Sequence, residues 1–189
     1  MKTDIILCGV GGQGILSIAT VIGQAATAAG VNLKQAEVHG MSQRGGDVQS
    51  NLRLSNEAIW SDLIPRGGAD LIISMEPMEA LRYLPYLSAD GCVVTSSKPF
   101  VNISDYPDAD AVAAELAALP RCVSVDIDEI AGQAGNPRGA NMARLGAAAR
   151  YLGMLGTEQI REAGASVFAR KGESVVEANI KVFDAALAL

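Results

Sequence analysis

Two periods run through the chain's apolar positions, and the switches between them mark out the elements. Ile5-Ile6-Leu7 is a continuous apolar run, as in a strand covered on both faces. It is followed by Ile15, Leu16, Ile18, Ala19, Val21, Ile22, Ala25, Ala26 and Ala29, which recur at helical spacing. Val31 to Val38 is a second extended stretch. Val48, Ser50, Leu52 and Leu54 then alternate with Gln49, Asn51, Arg53 and Ser55, the period of a half-buried strand. Asn56-Glu57 predicts a turn, and Ala58-Ile59-Trp60 the returning arm of a hairpin. Further strands are expected at Leu71 to Met75, at Cys92 to Val94 after an Asp90-Gly91 turn, and at Val123 to Val125. Helices are expected from Glu76-Pro77 through Leu84, where proline in the first turn costs little, and from Asp108 to Leu119. Another is expected along Met142, Leu145, Ala149, Leu152 and Leu155, with Asn141 near its start. Thr157 and Ser174 are expected to cap two more, the last carrying Val175, Ile180, Phe183 and Leu187.

Strands alternating with helices predict a sheet between helical layers. The opening sharpens that picture, because Gly9-Val10-Gly11-Gly12-Gln13-Gly14 fits the G-x-G-x-x-G spacing between a strand and a helix. Glycine permits a tight turn and close approach, and the free N–H groups at a helix start favour an anion. Packing of strand against helix accounts for the same glycines equally well. The expected architecture is therefore Rossmann-like: a three-layer α/β/α domain over residues 1–189 with a mostly parallel, mixed sheet including one hairpin. Glu37 stands about where a dinucleotide fold places the acid that holds the ribose hydroxyls.

Composition narrows the partners. The 189 residues are 49% hydrophobic with a net charge of −6, which argues against nucleic acid or an anionic membrane. No apolar stretch reaches the roughly 20 residues of a membrane-spanning helix. Without an N-terminal signal pattern, the chain is expected to be cytoplasmic. Three cysteines, Cys8, Cys92 and Cys122, lie far apart in strand-like runs, and His39 is the sole histidine. An iron–sulfur cluster takes four thiolates and a structural zinc four ligands, so the cysteines are expected to be buried, reduced thiols.

A catalytic set is missing, since no serine has a matching base other than His39. Asp126, Asp128 and Glu129 fit a helix start favoured by the dipole better than a cation site. Met41, Met75 and Met78 read as core or interface filler. The segment His39-Gly40-Met41-Ser42-Gln43-Arg44-Gly45-Gly46 is different, because it sits where a second crossover helix would begin. Its one cation, Arg44, offers a planar fork to a carboxylate or phosphate, and Gly45-Gly46 leave room for a close approach.

GVGGQGI (Gly9 to Ile15) together with HGMSQRGGDVQSNLR (His39 to Arg53) resembles the γ-type domain of the 2-oxoacid:ferredoxin oxidoreductases. Within that family the chain looks most like the small (β) subunits of indolepyruvate:ferredoxin oxidoreductases. The likeness continues through IPRGGADLIISMEPMEALR (Ile64 to Arg82), NMARLGA (Asn141 to Ala147) and EANI (Glu177 to Ile180), nearly the whole chain in order. It implies a large partner subunit that carries thiamine diphosphate and [4Fe–4S] clusters, with no cofactor held by this chain alone. The complex would decarboxylate an aryl 2-oxoacid oxidatively, reduce ferredoxin and form an arylacetyl-CoA. By the same resemblance a coenzyme A contact falls on Gly11, Gly12, Gln13, Gly14, Ser42, Gln43, Arg44, Gly45 and Gly46.

Two other readings stay open: an NAD(P)-dependent dehydrogenase using Glu37, and a purely structural docking subunit. Docking would call for an exposed apolar patch, expected around Met41 and the hairpin carrying Trp60, with self-association of the isolated chain.

Overall fold

The computed structural model of the chain describes residues 1–39 and 46–189. Its elements run β1 (Lys2–Val10), α1 (Ile15–Ala28), β2 (Asn32–His39), β3 (Asp47–Ser55), β4 (Ala69–Ser74) and α2 (Pro77–Tyr83). They continue with β5 (Leu87–Ser96), α3 (Ala109–Ala117), β6 (Cys122–Val125), α4 (Ile127–Gln133), α5 (Ala140–Ala148), α6 (Thr157–Phe168) and α7 (Glu173–Leu187). The strands form one mixed sheet in the order β2-β3-β1-β4-β5-β6. Only β3 opposes the rest: it pairs antiparallel with β1 and with β2, while β1, β4, β5 and β6 are parallel.

Side-chain alternation along the central strands builds two cores. Ile5, Leu7, Leu71, Ile73, Cys92 and Val94 face α1, α4, α5, α6 and α7. Ile6, Cys8, Ile72 and Val93 face the smaller layer of α2 and α3. This is the expected three-layer, mostly parallel arrangement, and covering both faces of β1 and β4 explains why their sequences read as unbroken apolar runs. Among the described residues, no helix is long and apolar enough to cross a membrane.

The hairpin is not where alternation placed it. Its arms are β2 and β3, joined through residues 40–46, and β3 is wedged between β2 and β1. Residues 58–60 are not a strand. They belong to a loop tied back onto β3, where Arg53 Nη1 donates to the carbonyls of Ser61 (3.0 Å) and Leu63 (3.1 Å), and Asn51 Oδ1 accepts from Ile64 N. Arg53 itself is forked onto Asp4, Nε to Oδ1 at 2.8 Å and Nη2 to Oδ2 at 3.1 Å. Burial works to raise the Asp4 pKa, but hydrogen bonds from Arg53 and Lys2 overcome it and hold the carboxyl below its usual range. Trp60, 93% exposed, therefore stands at the amino edge of the sheet, at the end of β3 away from Gly46. β3 is nine residues long, about 30 Å, and Trp60 stands at its far end from Gly46; Met41, the other part of the expected patch, lies outside the described residues.

Two smaller expectations also shift. Asp90-Gly91 lies inside β5, at the register shift against β4, and not in a turn before it. The helix starts expected at Thr157 and Ser174 are capped one or two residues earlier, by Gly156 and Gly172.

Helices α5 and α7 meet closely at Gly146, where an added Cβ would run into the Phe183 carbonyl and lie 3.0 Å from Ala186 Cβ. Gly132 in α4 has nothing within 4 Å of the same position. Gly146→Ala should therefore lose roughly 1–3 kcal/mol by overpacking, a drop in melting temperature of about 2–12 °C for a chain of this size. Gly132→Ala should hold or raise it. Equal melting temperatures for the two variants would show that the helices do not approach as described.

Candidate functional site

The chain leaves β1 at Val10 and turns through Gly11 to Gly14 into α1. Gly14 caps the helix at φ 82°, and Gly12 has φ 102°, both in the left-handed region that favours glycine. Gln13 closes the turn on itself: its Oε1 accepts from Val10 N at 2.8 Å, and its N–H donates to Val10 O at 3.1 Å. Gly11 N donates to Gly46 O at 2.8 Å. That bond joins the glycine turn to the foot of β3, so two segments more than thirty positions apart in sequence meet at the carboxyl edge of the sheet. Ser17 N–H donates to Gly14 O at 3.0 Å, while the N–H groups before it in the first turn have no intrahelical acceptor.

The glycines answer more to packing than to a ligand. A Cβ on Gly9 would sit 2.6 Å from Met75 Cβ, and one on Gly14 would sit 2.6 Å from Asn141 Nδ2. Gly12 alone of these three has open space around it.

Asn141, in the first turn of α5, is the clasp that shapes this turn. Its Nδ2 reaches the carbonyls of Gln13 (3.3 Å) and Gly14 (3.2 Å) and the Ser17 hydroxyl (2.9 Å). Arg144, one turn on, is 8% exposed and donates from Nη1 to Asn141 Oδ1 (3.0 Å) and from Nη2 to Met75 O (3.1 Å). Its Nε is buried without a partner among the described residues, which costs on the order of 1–3 kcal/mol. Burial pulls the guanidinium pKa down, and Asp128 opposes the pull. Sequence reading placed Asn141 near a helix start but did not single out either residue. The signal was the Asn-x-x-Arg spacing, which sets both on one helix face.

On the other face of the same edge, acids gather where α2 meets the foot of β3. Tyr83 OH lies 2.8 Å from both carboxylate oxygens of Asp47, the first residue of β3. Glu76 caps α2 by accepting from Glu79 N, and Tyr106 OH donates to its Oε2 at 2.7 Å. Glu79 is 4% exposed, and its Oε2 accepts from Arg82 Nε at 2.9 Å. Burial pushes the Glu79 carboxyl up to about 7, Arg82 counters it, and neighbouring Asp47 adds to the rise. The two faces thus grip the glycine turn and the hairpin foot differently, with amide and guanidinium donors on one side and a cluster of carboxylates on the other.

The remaining expected residues are dispersed. Ser42, Gln43, Arg44 and Gly45 lie outside the described residues, while Gly46 is brought beside Gly11. Glu37 sits on β2 with β3 between it and β1, two strand spacings or about 9–10 Å away. A dinucleotide fold puts that acid on the neighbouring strand, so the wedge removes the geometry on which the dehydrogenase reading depends. Cys8 and Cys92 are buried against opposite faces of the sheet, and burial raises the Cys8, Cys92 and Cys122 thiols. They do not fit a cluster or a metal. Asp126 caps α4 by accepting from Glu129 N and pairs with Lys98 at 2.9 Å, the role expected of it. Met75 is core; Met78 lines a shallow apolar groove between α2 and α3.

The raised Glu79 carboxyl makes stability depend on pH with a definite sign. A carboxyl whose folded pKa lies above its unfolded value stabilises fully below the unfolded value, near 4.5, and loses that contribution as pH climbs through about 7. Glu79→Gln keeps the neutral form at every pH. Melting curves from about pH 5 to about pH 8.5 should show the variant gaining on the parent as pH rises. A gap independent of pH would remove Glu79 as the titrating group.

Comparison with known proteins agrees with this geometry. The sequence signature of the family described as pyruvate ferredoxin/flavodoxin oxidoreductase matches residues 4–189. The indolepyruvate oxidoreductase subunit IorB of Archaeoglobus fulgidus is 36% identical over 189 residues, covering 96% of this chain and 92% of its own. A keto/oxoacid ferredoxin oxidoreductase γ subunit from Geobacter sulfurreducens shares the fold at TM-score 0.74 and 22% identity, over 100% of this chain and 95% of that one. A 2-oxoglutarate:ferredoxin oxidoreductase chain from Magnetococcus marinus, solved with 2-oxoglutarate, coenzyme A and succinyl-CoA bound, shares it at TM-score 0.73 and 20% identity. There the match covers 99% of this chain and 30% of that one. With the signature spanning nearly every residue and the fold agreeing throughout, the chain belongs to the pyruvate ferredoxin/flavodoxin oxidoreductase family.

Proposed function

We propose that this chain is the small subunit of an indolepyruvate:ferredoxin oxidoreductase of the cytoplasm, acting as one domain with a large subunit. The large subunit supplies thiamine diphosphate and [4Fe–4S] clusters. When bound there, those groups would supply the oxidative decarboxylation of an aryl 2-oxoacid, with two electrons going to ferredoxin and the arylacetyl group to coenzyme A. The similarity to the archaeal IorB subunit along nearly its full length supports the assignment. So does the chemistry of the chain: Cys8, Cys92 and Cys122 are separated thiols held protonated by burial, which suits a subunit that relies on a partner for its clusters.

The observation that carries the proposal is the bond between Gly11 and Gly46. It puts the glycine turn and the foot of the hairpin at one edge, the placement needed if both are to meet coenzyme A or the large subunit. Around that edge Leu16, Val38, Phe100 and Val101 are exposed apolar side chains, suited to a protein partner. Gly11 to Gly14 and Ser42 to Gly46 are the residues assigned to the contact, with Arg44 as its cation. Asn141 and Arg144 hold the turn in shape for it. A purely structural subunit would use the same surface without touching coenzyme A.

Arg44→Ala separates the two. In the complex reconstituted with the large subunit, assayed with indolepyruvate and a viologen dye, the variant should raise the KM for coenzyme A at least about tenfold, or 1.4 kcal/mol. Its melting temperature should stay near that of the parent. Dissociation of the complex with an unchanged KM in the residual assembly would make the loop a docking element only. Wild-type values for both affinities would remove Arg44 from the site.

A further inference from the structure

Beside the glycine turn, on the helical side of the sheet, lies a groove of about 480 Å³ that shares Asn141 and Ser17 with the clasp of the turn but whose other lining residues the proposed function does not use. It opens between the first turn of α1, the residues leading into α5, the end of α6 and the first turns of α7. Its volume is within the range of small-molecule sites, about 300–1,000 Å³.

The lining is unusual for a protein of net charge −6. Arg138 and Lys171 face the groove, and among the described residues no carboxylate lines it. Among the described residues, the ion pairs are made by Lys2, Lys34, Arg53, Arg82, Lys98 and Arg161, so neither groove cation is neutralised by an acid. Lys171 Nζ instead stands 5.4 Å from the centre of the Phe168 ring, a contact of modest strength at an exposed site. Hydroxyl groups come from Ser17 and Ser174, the latter in the first turn of the fifteen-residue helix α7.

The groove also has a dry side. Met142 is buried at its floor, and Phe168, Val175 and Ala178 continue the apolar wall. Asn179, 7% exposed, spends its Nδ2 on Val175 O at 2.8 Å, which leaves its Oδ1 as the acceptor it can offer. A bare inorganic anion would use the cations and waste the wall. A phosphate carried on an apolar or planar body with N–H or O–H donors uses both.

We propose that this groove binds a small organic phosphate of the nucleoside monophosphate type. Arg138 and Lys171 hold its phosphate, and its body lies against Phe168, Met142 and Val175 with a donor toward Asn179. The fork of Arg138 supplies two parallel bonds to phosphate oxygens and Lys171 a point charge. The proposal rests on these lining residues and not on the Arg44 contact.

Titration calorimetry of the full 189-residue chain with AMP tests this. One AMP should bind per chain, more tightly than adenosine, which lacks the phosphate, and more tightly than inorganic phosphate, which lacks the body. Arg138→Gln and Lys171→Gln should each weaken AMP roughly tenfold with unchanged melting temperature, because both side chains are exposed. The proposal is overturned if AMP gives no saturable binding, or if both groove variants bind it like the parent. Equal affinities for AMP and inorganic phosphate would also overturn it, as the mark of a non-specific anion site.

Discussion

A single antiparallel strand wedged beside β1 determines most of what is distinctive in this chain. In a parallel fold the strand after α1 would lie directly against β1. Here β3 takes that place and pushes β2 to the edge, so that each residue of β1 from Lys2 to Val10 has an opposite number on β3. The wedge returns the chain to the carboxyl edge at Gly46, beside Gly11, and sends it out at the amino edge through the loop clamped by Arg53 and Asp4. It also strands Glu37 one strand too far from the glycine turn for ribose binding. The mixed sheet and the displacement of Glu37 have the same cause.

Given that wedge, the glycine turn needs support from both faces of the sheet. Asn141 fastens its carbonyls from α5, and Arg144 fixes Asn141 while reaching across to Met75 at the end of β4. From α2, Glu79 and Tyr83 meet Asp47 at the foot of β3. The cost is an orphaned guanidinium nitrogen and a buried carboxyl near its titration point. Local expense of this kind is common where a surface must be held in one shape for a partner or ligand.

Much of this was legible from residue order. Buried strands declared themselves as apolar runs because both faces of β1 and β4 are covered, and the helices declared themselves by period. Asp126 showed itself as a cap because an acid at a helix start has few other uses. The hairpin was misplaced for a physical reason: alternation in Val48 to Ser55 identifies a strand but not its neighbour, and register is set by tertiary pairing. Trp60 looked like a strand residue by type, yet Arg53 holds its loop against β3 through backbone carbonyls, which carry no sequence signature. Asn141 and Arg144 hid inside an ordinary amphipathic helix, and Asp47 with Glu79 are thirty-two positions apart. Only the fold brings such pairs together.

The central claim is that the carboxyl edge, where the glycine turn meets the foot of the hairpin, is the working face of the subunit. Amide hydrogen exchange of the full chain, alone and bound to the proposed large subunit, tests this most directly. The account requires slowed exchange on binding in peptides covering Gly11 to Ser17 and Gly46 to Val48, with the Phe100 to Ile103 loop of the same edge following them. Protection confined to the Glu57 to Leu63 loop at the opposite edge, with the glycine turn unchanged, would contradict it.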